Sequence, residues 1–529
     1  MGSVREATLD MLRSLGMTTI FGNPGSTELP FLEDFPEDFT YVLGLQESVV
    51  LAMADGYAQA KRHATLVNLH TAPGLGNAMG AMVNAFHGRT PLVITAGQQD
   101  RRHLALEPLL HGRLVELAKP YVKWSHEPAR AEDVPAAIAR VYHTATQEPQ
   151  GPVFVSIPMD DWEAEAPPFE ARQVSQRTAP DPEALERVAD ALRESRRPAI
   201  VAGDGAARSG AWHEVVALAE KLNAPVWNEP LSAHVPFPQD HPLFQGHLAS
   251  SRRSLSQQLA AYDVVVVLGA AVFKYYPYAA GPVVEPDTRV LQVTDDPSEA
   301  ARAATGSSVV GNVAIAARHL CELLSGADRE TPLAPPRPET PEAAYPIPVA
   351  YLMHVLGRVL PEDAVVVNES LSSEGELRRH VRIRRPDSFY GGASAGGGLG
   401  FGMSGAVGIQ LALPERPVVS VVGDGSAMYT VQALWTAARL AAPVTYVVVN
   451  NSQYAILKAF AASTGITDSV PGLDLPRLDV TRIAEGLGCE AETVEEPEKL
   501  EETLERALAY EGPYLVNVMV DQAVPELLA

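Results

Sequence analysis

The most constraining stretch of this 529-residue chain lies between positions 418 and 451. Val418–Val422 is a valine run broken only by Ser420, and Val444–Val449 is a second β-branched run. Between them, Tyr429–Leu440 has helical spacing. Two short, largely apolar runs joined by a helix predict a parallel strand–helix–strand unit buried on both faces. A right-handed crossover puts both strand ends on one edge of the sheet, where α/β proteins bind ligands. The first strand runs into Gly423-Asp424-Gly425-Ser426 and the second into Asn450-Asn451. Asp424 and Asn451 thus offer a carboxylate and an amide oxygen to one hard cation. Mg²⁺ suits such a pair, because it takes octahedral oxygens and shares them with phosphates and water. The glycines let backbone N–H groups approach a diphosphate, and the helix start that follows favours its charge.

The chain carries its own control. Gly203-Asp204-Gly205 also follows a strand, but Leu231 stands at the downstream distance where a metal-binding Asn would fall. This second turn is assigned a structural role. The first is set apart by the agreement of spacing, strand placement and residue chemistry.

Similar alternation runs from end to end and predicts three doubly wound α/β domains with largely parallel sheets. In the first, Thr18–Phe21, Tyr41–Leu45, Thr65–Leu69, Leu92–Ala96 and Val153–Ile157 are expected strands, with helices over Glu47–Lys61 and Asn77–His87. In the second, Ala199–Ala202, Val264–Leu268 and Val290–Val293 are expected strands. Polar, proline-rich segments at Ala166–Pro182 and Gly326–Pro348 cannot bury much apolar surface and are expected linkers. The domains are therefore placed at 1–165, 183–325 and 349–529.

Composition narrows the functional classes. With 41 Lys and Arg against 65 Asp and Glu, the net charge of −24 disfavours a nucleic-acid binder. Two cysteines, Cys321 and Cys489, make neither a disulfide framework nor a Cys-based zinc site, and fit a reducing cytoplasm. The N-terminus lacks the apolar core of a signal peptide, and Glu6 spoils a myristoylation start at Gly2. The longest apolar stretch, near Val264–Phe273, is too short to span a membrane.

Gly-Asp-Gly, then Asn-Asn at this spacing, resembles the signature of thiamine diphosphate enzymes. Phe21-Gly22-Asn23-Pro24-Gly25-Ser26, Leu45-Gln46-Glu47, Asn68-Leu69-His70 and Trp124-Ser125 look like the benzoylformate decarboxylase branch. The resemblance covers nearly the whole chain. It implies a pyrimidine-binding, a central and a diphosphate-binding domain, and a homotetramer with active sites between subunits. It implies that Glu47 shares a proton with the pyrimidine N1′ and so promotes loss of the cofactor's C2 proton. His70 becomes the substrate-facing histidine, suited to proton transfer near neutral pH, and Ser26 a ligand of the substrate carboxylate or carbonyl. From residues alone, Glu47 is a helix-dipole carboxylate, His70 a strand-end residue and Ser26 a turn residue.

In the third domain the resemblance implies cofactor contacts from Gly397, Gly398 and Leu399, the last as the wedge that bends the cofactor. It adds Leu371, Ser372, Gly423, Asp424, Gly425, Ser426, Asn451, Tyr454, Ala455 and Ile456, and Gln453 beside Asp424 and Asn451 at the metal. The glycines at 396–400 are not a dinucleotide fingerprint, because no acidic residue follows at the required distance. The central domain shows no clear FAD signature.

Three departures bear on the substrate. Tyr276 stands where the family has a second active-site histidine, and tyrosine is the poorer proton shuttle at neutral pH. Leu371 replaces a hydroxyl residue and Ile456 a small one. The stretch Gly391–Gly398 is two residues longer. The expected activity is thiamine diphosphate- and Mg²⁺-dependent decarboxylation of an aromatic or bulky apolar 2-oxo acid to an aldehyde. Alternatives are a carboligase of acetolactate synthase or benzaldehyde lyase type, joining aldehydes into 2-hydroxyketones, and a cofactor-binding scaffold without turnover.

Overall fold

Three valine-rich sheets of six strands each organise the chain, and every strand pairing within them is parallel. A computed structural model describes residues 2–466 and 469–526, with residues 393 and 394 described by backbone alone. In spatial order the first sheet runs Thr40–Leu43, Thr19–Gly22, Thr65–Leu69, Leu92–Gln98, Val153–Pro158, Ser125–His126. The third runs Phe389–Gly391, Val365–Glu369, Val418–Gly423, Val444–Asn450, Tyr514–Met519, Glu490–Val494. Both place their strands in the same order relative to the chain. The central sheet differs: Phe244–His247, Val226–Asn228, Pro198–Ala202, Val264–Leu268, Arg289–Thr294, Ser307–Val310.

The central strands are buried along their length, as runs without alternation require. Between Glu165–Ala166 and the helix Pro182–Glu194 the chain has no regular element, and likewise between the helix ending at Leu323 and the one starting at Val349. The second of these segments is strapped down: the Arg329 guanidinium donates to the carbonyls of Leu192, Ser195 and Leu222 at the edge of the central domain.

The helix Glu47–Lys61 is capped by the Gln46 side chain, which accepts from the backbone of Ser48 and Val49, and ends at Arg62 with φ 52°. It packs directly on Phe401–Ala412 of the third domain. A Cβ on Gly56 would lie 2.2 Å from the Gly405 carbonyl, and one on Gly408 would lie 1.8 Å from the Met53 carbonyl. Backbone meets backbone here, and only glycine permits that approach.

The strand expected at Tyr41–Leu45 is Thr40–Leu43, and one helix is much shorter than expected. The helix predicted over Tyr429–Leu440 covers Ala433–Arg439, preceded by a separate short turn of helix, Asp424–Ala427. Thr430 explains the break: its hydroxyl donates to the Gly400 carbonyl at 2.6 Å, pinning the intervening segment to the glycine turn instead of extending the helix.

Candidate active site

The diphosphate edge follows from the register of two neighbouring strands. Gly423 pairs with Val449, so Asp424 and Asn451 leave the sheet side by side. Asp424 is 2% exposed, and its Oδ1 accepts from the Gly425 N–H at 2.9 Å. Its Oδ2 is buried with no partner. Burial pushes this carboxyl up to about 6. A buried, unpaired carboxylate oxygen is what a cation ligand looks like without its cation, so the residues present fit Mg²⁺. Asn451 is also buried, its Oδ1 accepting from the Gln453 N–H at 3.2 Å.

The Gln453 side chain is already engaged. Its side-chain oxygen accepts from Lys458 Nζ at 2.5 Å and its amide donates to the Gln522 carbonyl. With an ammonium already on that oxygen, only its main-chain carbonyl remains for a cation. Ser426 is buried, and Tyr454 caps the helix Ala455–Ser463, with Ala455 buried and Ile456 half-buried. A Cβ on Gly425 would strike the Tyr454 ring at 2.4 Å, whereas one on Gly423 would meet nothing closer than Ser426 Oγ at 3.9 Å. Gly423 therefore borders open space suited to a diphosphate. Among the described residues no group of three His, Cys, Asp or Glu gathers to hold a metal, in keeping with a site whose other ligands are amide, carbonyl and phosphate oxygens.

The glycine turn is held from two sides. Glu369 ends its strand fully buried and accepts from the backbone N–H groups of Gly400, Phe401 and Gly402. Burial still raises its carboxyl to about 8. Asn84, from the first domain, brackets the Gly398 peptide: its amide donates to the carbonyl at 2.5 Å and its oxygen accepts from the N–H at 2.9 Å. Gly397, with φ 79°, faces open space, and Leu399 sits half-buried beside it. The longer stretch before this turn forms the short helix Gly392–Gly396. Leu371 and Ser372 lie half-buried in the turn between Val365–Glu369 and Glu374–His380, on the same sheet edge.

In the first domain, His70 is not the lone strand-end residue its sequence context suggests. Its Nδ1 lies 2.8 Å from Glu28 Oε2. Glu28 is 1% exposed and also accepts from the N–H groups of Gly25 and Gly97, both at 2.9 Å, and from the Thr27 hydroxyl at 2.7 Å. A carboxylate only accepts, so the nitrogen facing it carries the proton and Nε2 is the basic atom. A Cβ on Gly25 would lie 2.2 Å from His70 Nδ1, which explains the glycine in the loop before Ser26. Ser26 itself is exposed. Glu47 opens its helix half-buried, and Oε2 accepts from the Asn77 amide at 3.0 Å.

Tyr276 lies on the loop after the central strand Val264–Leu268 and is 60% exposed. It does not pack with the neighbouring aromatics of its own loop. Its ring stacks on Phe460 of the third domain, 5.8 Å between centroids and 20° between planes. Phe460, Glu28, Glu369 and Asn84 escaped the sequence reading. Their common signal was weak: a polar residue inside an apolar run for Glu369 and Asn84, and none for Phe460.

The structure brings Thr27, Glu28 and His70 together, with Ser26 exposed in the adjoining loop, and separately Asp424, Asn451 and Gln453. Among the described residues no hydrogen bond or ion pair joins the first group or Glu47 to the second.

Three family domains match in order: the thiamine pyrophosphate enzyme N-terminal TPP binding domain over residues 2–119, the central domain over 185–320 and the C-terminal TPP binding domain over 372–518. The chain belongs to the thiamine pyrophosphate enzyme family, and thiamine diphosphate is the cofactor its terminal domains are built to bind. Within that family it is a homologue of benzoylformate decarboxylase, a thiamine diphosphate-dependent 2-oxo acid decarboxylase. It is 43% identical to the benzoylformate decarboxylase of Pseudomonas aeruginosa, over 99% of this chain and 100% of that protein. The crystal structure of benzoylformate decarboxylase from Polynucleobacter necessarius superposes with a TM-score of 0.97 at 43% identity, covering 99% of this chain and 100% of that one. The 4-hydroxybenzoylformate decarboxylase of Rhodococcus jostii gives 0.96 at 41%, covering 99% and 100%. A probable acetolactate synthase large subunit of Methanocaldococcus jannaschii is 25% identical over 98% of this chain and 92% of that protein.

Proposed function

We propose that this chain decarboxylates an aromatic or bulky apolar 2-oxo acid of the benzoylformate class without oxidation, releasing an aldehyde and CO₂. The observation that carries the reading is the Glu28–His70 pair, with its ring oriented by a buried carboxylate and Nε2 left as the working nitrogen. When bound, thiamine diphosphate supplies the electron sink for carboxylate loss. Asp424, Asn451 and the Gln453 carbonyl would hold Mg²⁺, which anchors the diphosphate. Ser26 orients the substrate carboxylate, and His70 holds and returns a proton at Nε2. The purified protein with thiamine diphosphate and Mg²⁺ should release CO₂ and aldehyde from benzoylformate or a ring-substituted analogue. No turnover across an aromatic 2-oxo acid panel would sink the reading. Glu28→Gln should lower kcat by about 10²-fold, because the ring loses its orienting carboxylate.

Tyr276 favours a second reading, carboligation. A phenol protonates a carbon centre more slowly than an imidazolium at neutral pH, which leaves time for attack on a second carbonyl. With an acceptor aldehyde present, Tyr276→His should raise the ratio of aldehyde to 2-hydroxyketone. An unchanged ratio removes Tyr276 from the proton step.

A homotetramer with active sites between subunits is the assembly that the family resemblance implies for this chain. The glycine contacts of Gly56 and Gly408 press the first and third domains together, while Glu47 finds its partner, Asn77, in its own domain. A second chain then brings the missing half of each site. Inactive Glu47→Gln and inactive Asp424→Ala subunits, once exchanged into hybrids, should regain activity; inactive hybrids rule the shared site out. A cytoplasmic place of work fits the two free cysteines, and no described helix is long and apolar enough to cross a membrane.

A further inference from the structure

The chain carries 65 acidic residues against 41 basic ones, yet one groove reverses that balance. It has a volume of about 770 Å³ and lies between the central domain, the second linker and the start of the third domain. Six arginines line it: Arg337 from the linker, Arg358, Arg378, Arg379, Arg382 and Arg384 from the third domain. The lining includes a single carboxylate, Asp240, which faces Arg384 at 3.3 Å.

Four of the six guanidinium groups have acidic partners: Arg358 with Glu501 at 3.0 Å, Arg378 with Glu374 at 2.6 Å, Arg379 with Glu376 at 2.8 Å, and Arg384 with Asp240. Arg337 and Arg382 have none among the described residues. Burial, and after it the neighbouring charge of Arg337, holds the Arg382 guanidinium below its ordinary range. The local potential shows also at His247. Its Nδ1 and Nε2 lie 3.2 and 3.4 Å from the same Arg378 nitrogen, and the Gln239 amide nitrogen lies 3.2 Å from Nε2, so the ring sits among donors and accepts through one nitrogen. Burial and Arg378 keep that ring neutral. Folding has therefore concentrated like charge in a concave site and left two forks uncompensated, an arrangement that costs stability unless an anion occupies it.

We propose that this groove binds an oligophosphate ligand of nucleotide size. Guanidinium forks match phosphoryl oxygens in pairs, and several forks around one concavity suit several linked phosphates better than one carboxylate. The volume falls within the range of small-molecule sites. Phe244, Pro242 and Pro335 add an apolar wall on which a base can rest. The groove draws on none of the residues assigned to the cofactor or the substrate. Its helix Glu374–His380 nonetheless follows directly on the turn holding Leu371 and Ser372, so an occupied groove bears on the cofactor edge.

The test uses the holoenzyme saturated with thiamine diphosphate and Mg²⁺, titrated calorimetrically with tripolyphosphate and, separately, with ATP. Wild type should bind one equivalent per chain, more weakly as salt rises. The Arg337→Gln/Arg382→Gln variant should bind at least tenfold more weakly while keeping its decarboxylase rate. Arg337 is exposed on the linker, so Arg337→Gln alone, expected to lose about threefold, remains informative if the double variant fails to fold. Equal binding of the two probes identifies the phosphates as the recognised group, and tighter binding of ATP adds the base. Absence of heat with both probes, or undiminished affinity in Arg337→Gln and in a folded double variant, overturns the proposal.

Discussion

Two Gly-Asp-Gly turns in one chain do opposite things with the same three residues. Both follow a buried strand and both open a short helix, Asp204–Arg208 and Asp424–Ala427. In the central domain Asp204 is surrounded: Lys274 Nζ lies at 3.1 Å, the His234 N–H donates at 2.9 Å and the Ser232 hydroxyl at 3.2 Å. Lys274 reaches a second buried acid, Glu229, at 3.5 Å. In the third domain Asp424 keeps a buried oxygen with no hydrogen-bond partner among the described residues. Asp204 is met by partners from its own domain, whereas Asp424 has an oxygen left over at the edge where the cofactor's diphosphate is expected. The difference lies in what the rest of the fold delivers to the turn.

That contrast breaks most visibly on losing each carboxylate. Asp424→Ala should weaken cofactor binding at least 100-fold by titration while leaving the apoprotein's unfolding midpoint unchanged or higher. Asp204→Ala should do the reverse. It strands Lys274 beside Glu229 and should cost about 3–5 kcal/mol in denaturant unfolding, with cofactor affinity retained in the folded fraction. If both variants lose affinity and stability alike, the two turns are not different in kind.

The two aspartates should also respond to pH with opposite sign. Asp424 titrates at about 6 in the folded chain against 3.8 for an ordinary aspartate, so between those values the folded state holds the extra proton. Its contribution to apoprotein stability therefore falls as pH rises from about 4 to about 6, while cation affinity climbs over the same window because the metal takes the carboxylate. Burial works to raise Asp204, but Lys274 and His234 outweigh it and hold that carboxyl well below 3.8. Its stabilisation is present above 3.8 and is lost on acidification through the lower folded value. Urea unfolding of wild type, Asp424→Asn and Asp204→Asn between pH 3 and 7 separates the two slopes by difference.

A smaller effect distinguishes the leading glycines. A Cβ on Gly203 would sit 2.5 Å from both Ala270 Cβ and Glu229 Oε1. Gly203→Ala should therefore cost about 1–3 kcal/mol. Gly423→Ala has room and should leave thermal unfolding of the apoprotein within a degree or two, yet its methyl enters the space kept for the diphosphate and should weaken cofactor binding severalfold. Equal thermal shifts for the two substitutions would erase the distinction.

The sequence was legible where short-range pattern decides structure. Thr65–Leu69, Val264–Leu268 and the helix Glu47–Lys61 stand where their β-branched runs and helical spacing put them. The strand ends at Gly423 and Asn450 place the expected ligands on one edge. What could not be read depends on residues far apart in the chain. Glu28 and His70 are separated by 42 positions and meet only once two parallel strands align. Asn84 reaches Gly398 across 314 positions, and Tyr276 meets Phe460 across two domains. The helix break at Thr430 was hidden for a related reason, since its hydroxyl answers to a carbonyl 30 residues away.

The first and third sheets share one strand order, and the helix that packs between them comes, on each side, after the second strand of its own sheet. A dimer of one ancestral unit, pairing through that helix about a two-fold axis, would make this contact with itself. The two sides of this contact differ at the helix head: Glu47 opens one helix, and Gly400 with its backbone cradle precedes the other. Gly56 and Gly408 face opposite backbones across it, so a side chain on either would pry the two helices apart.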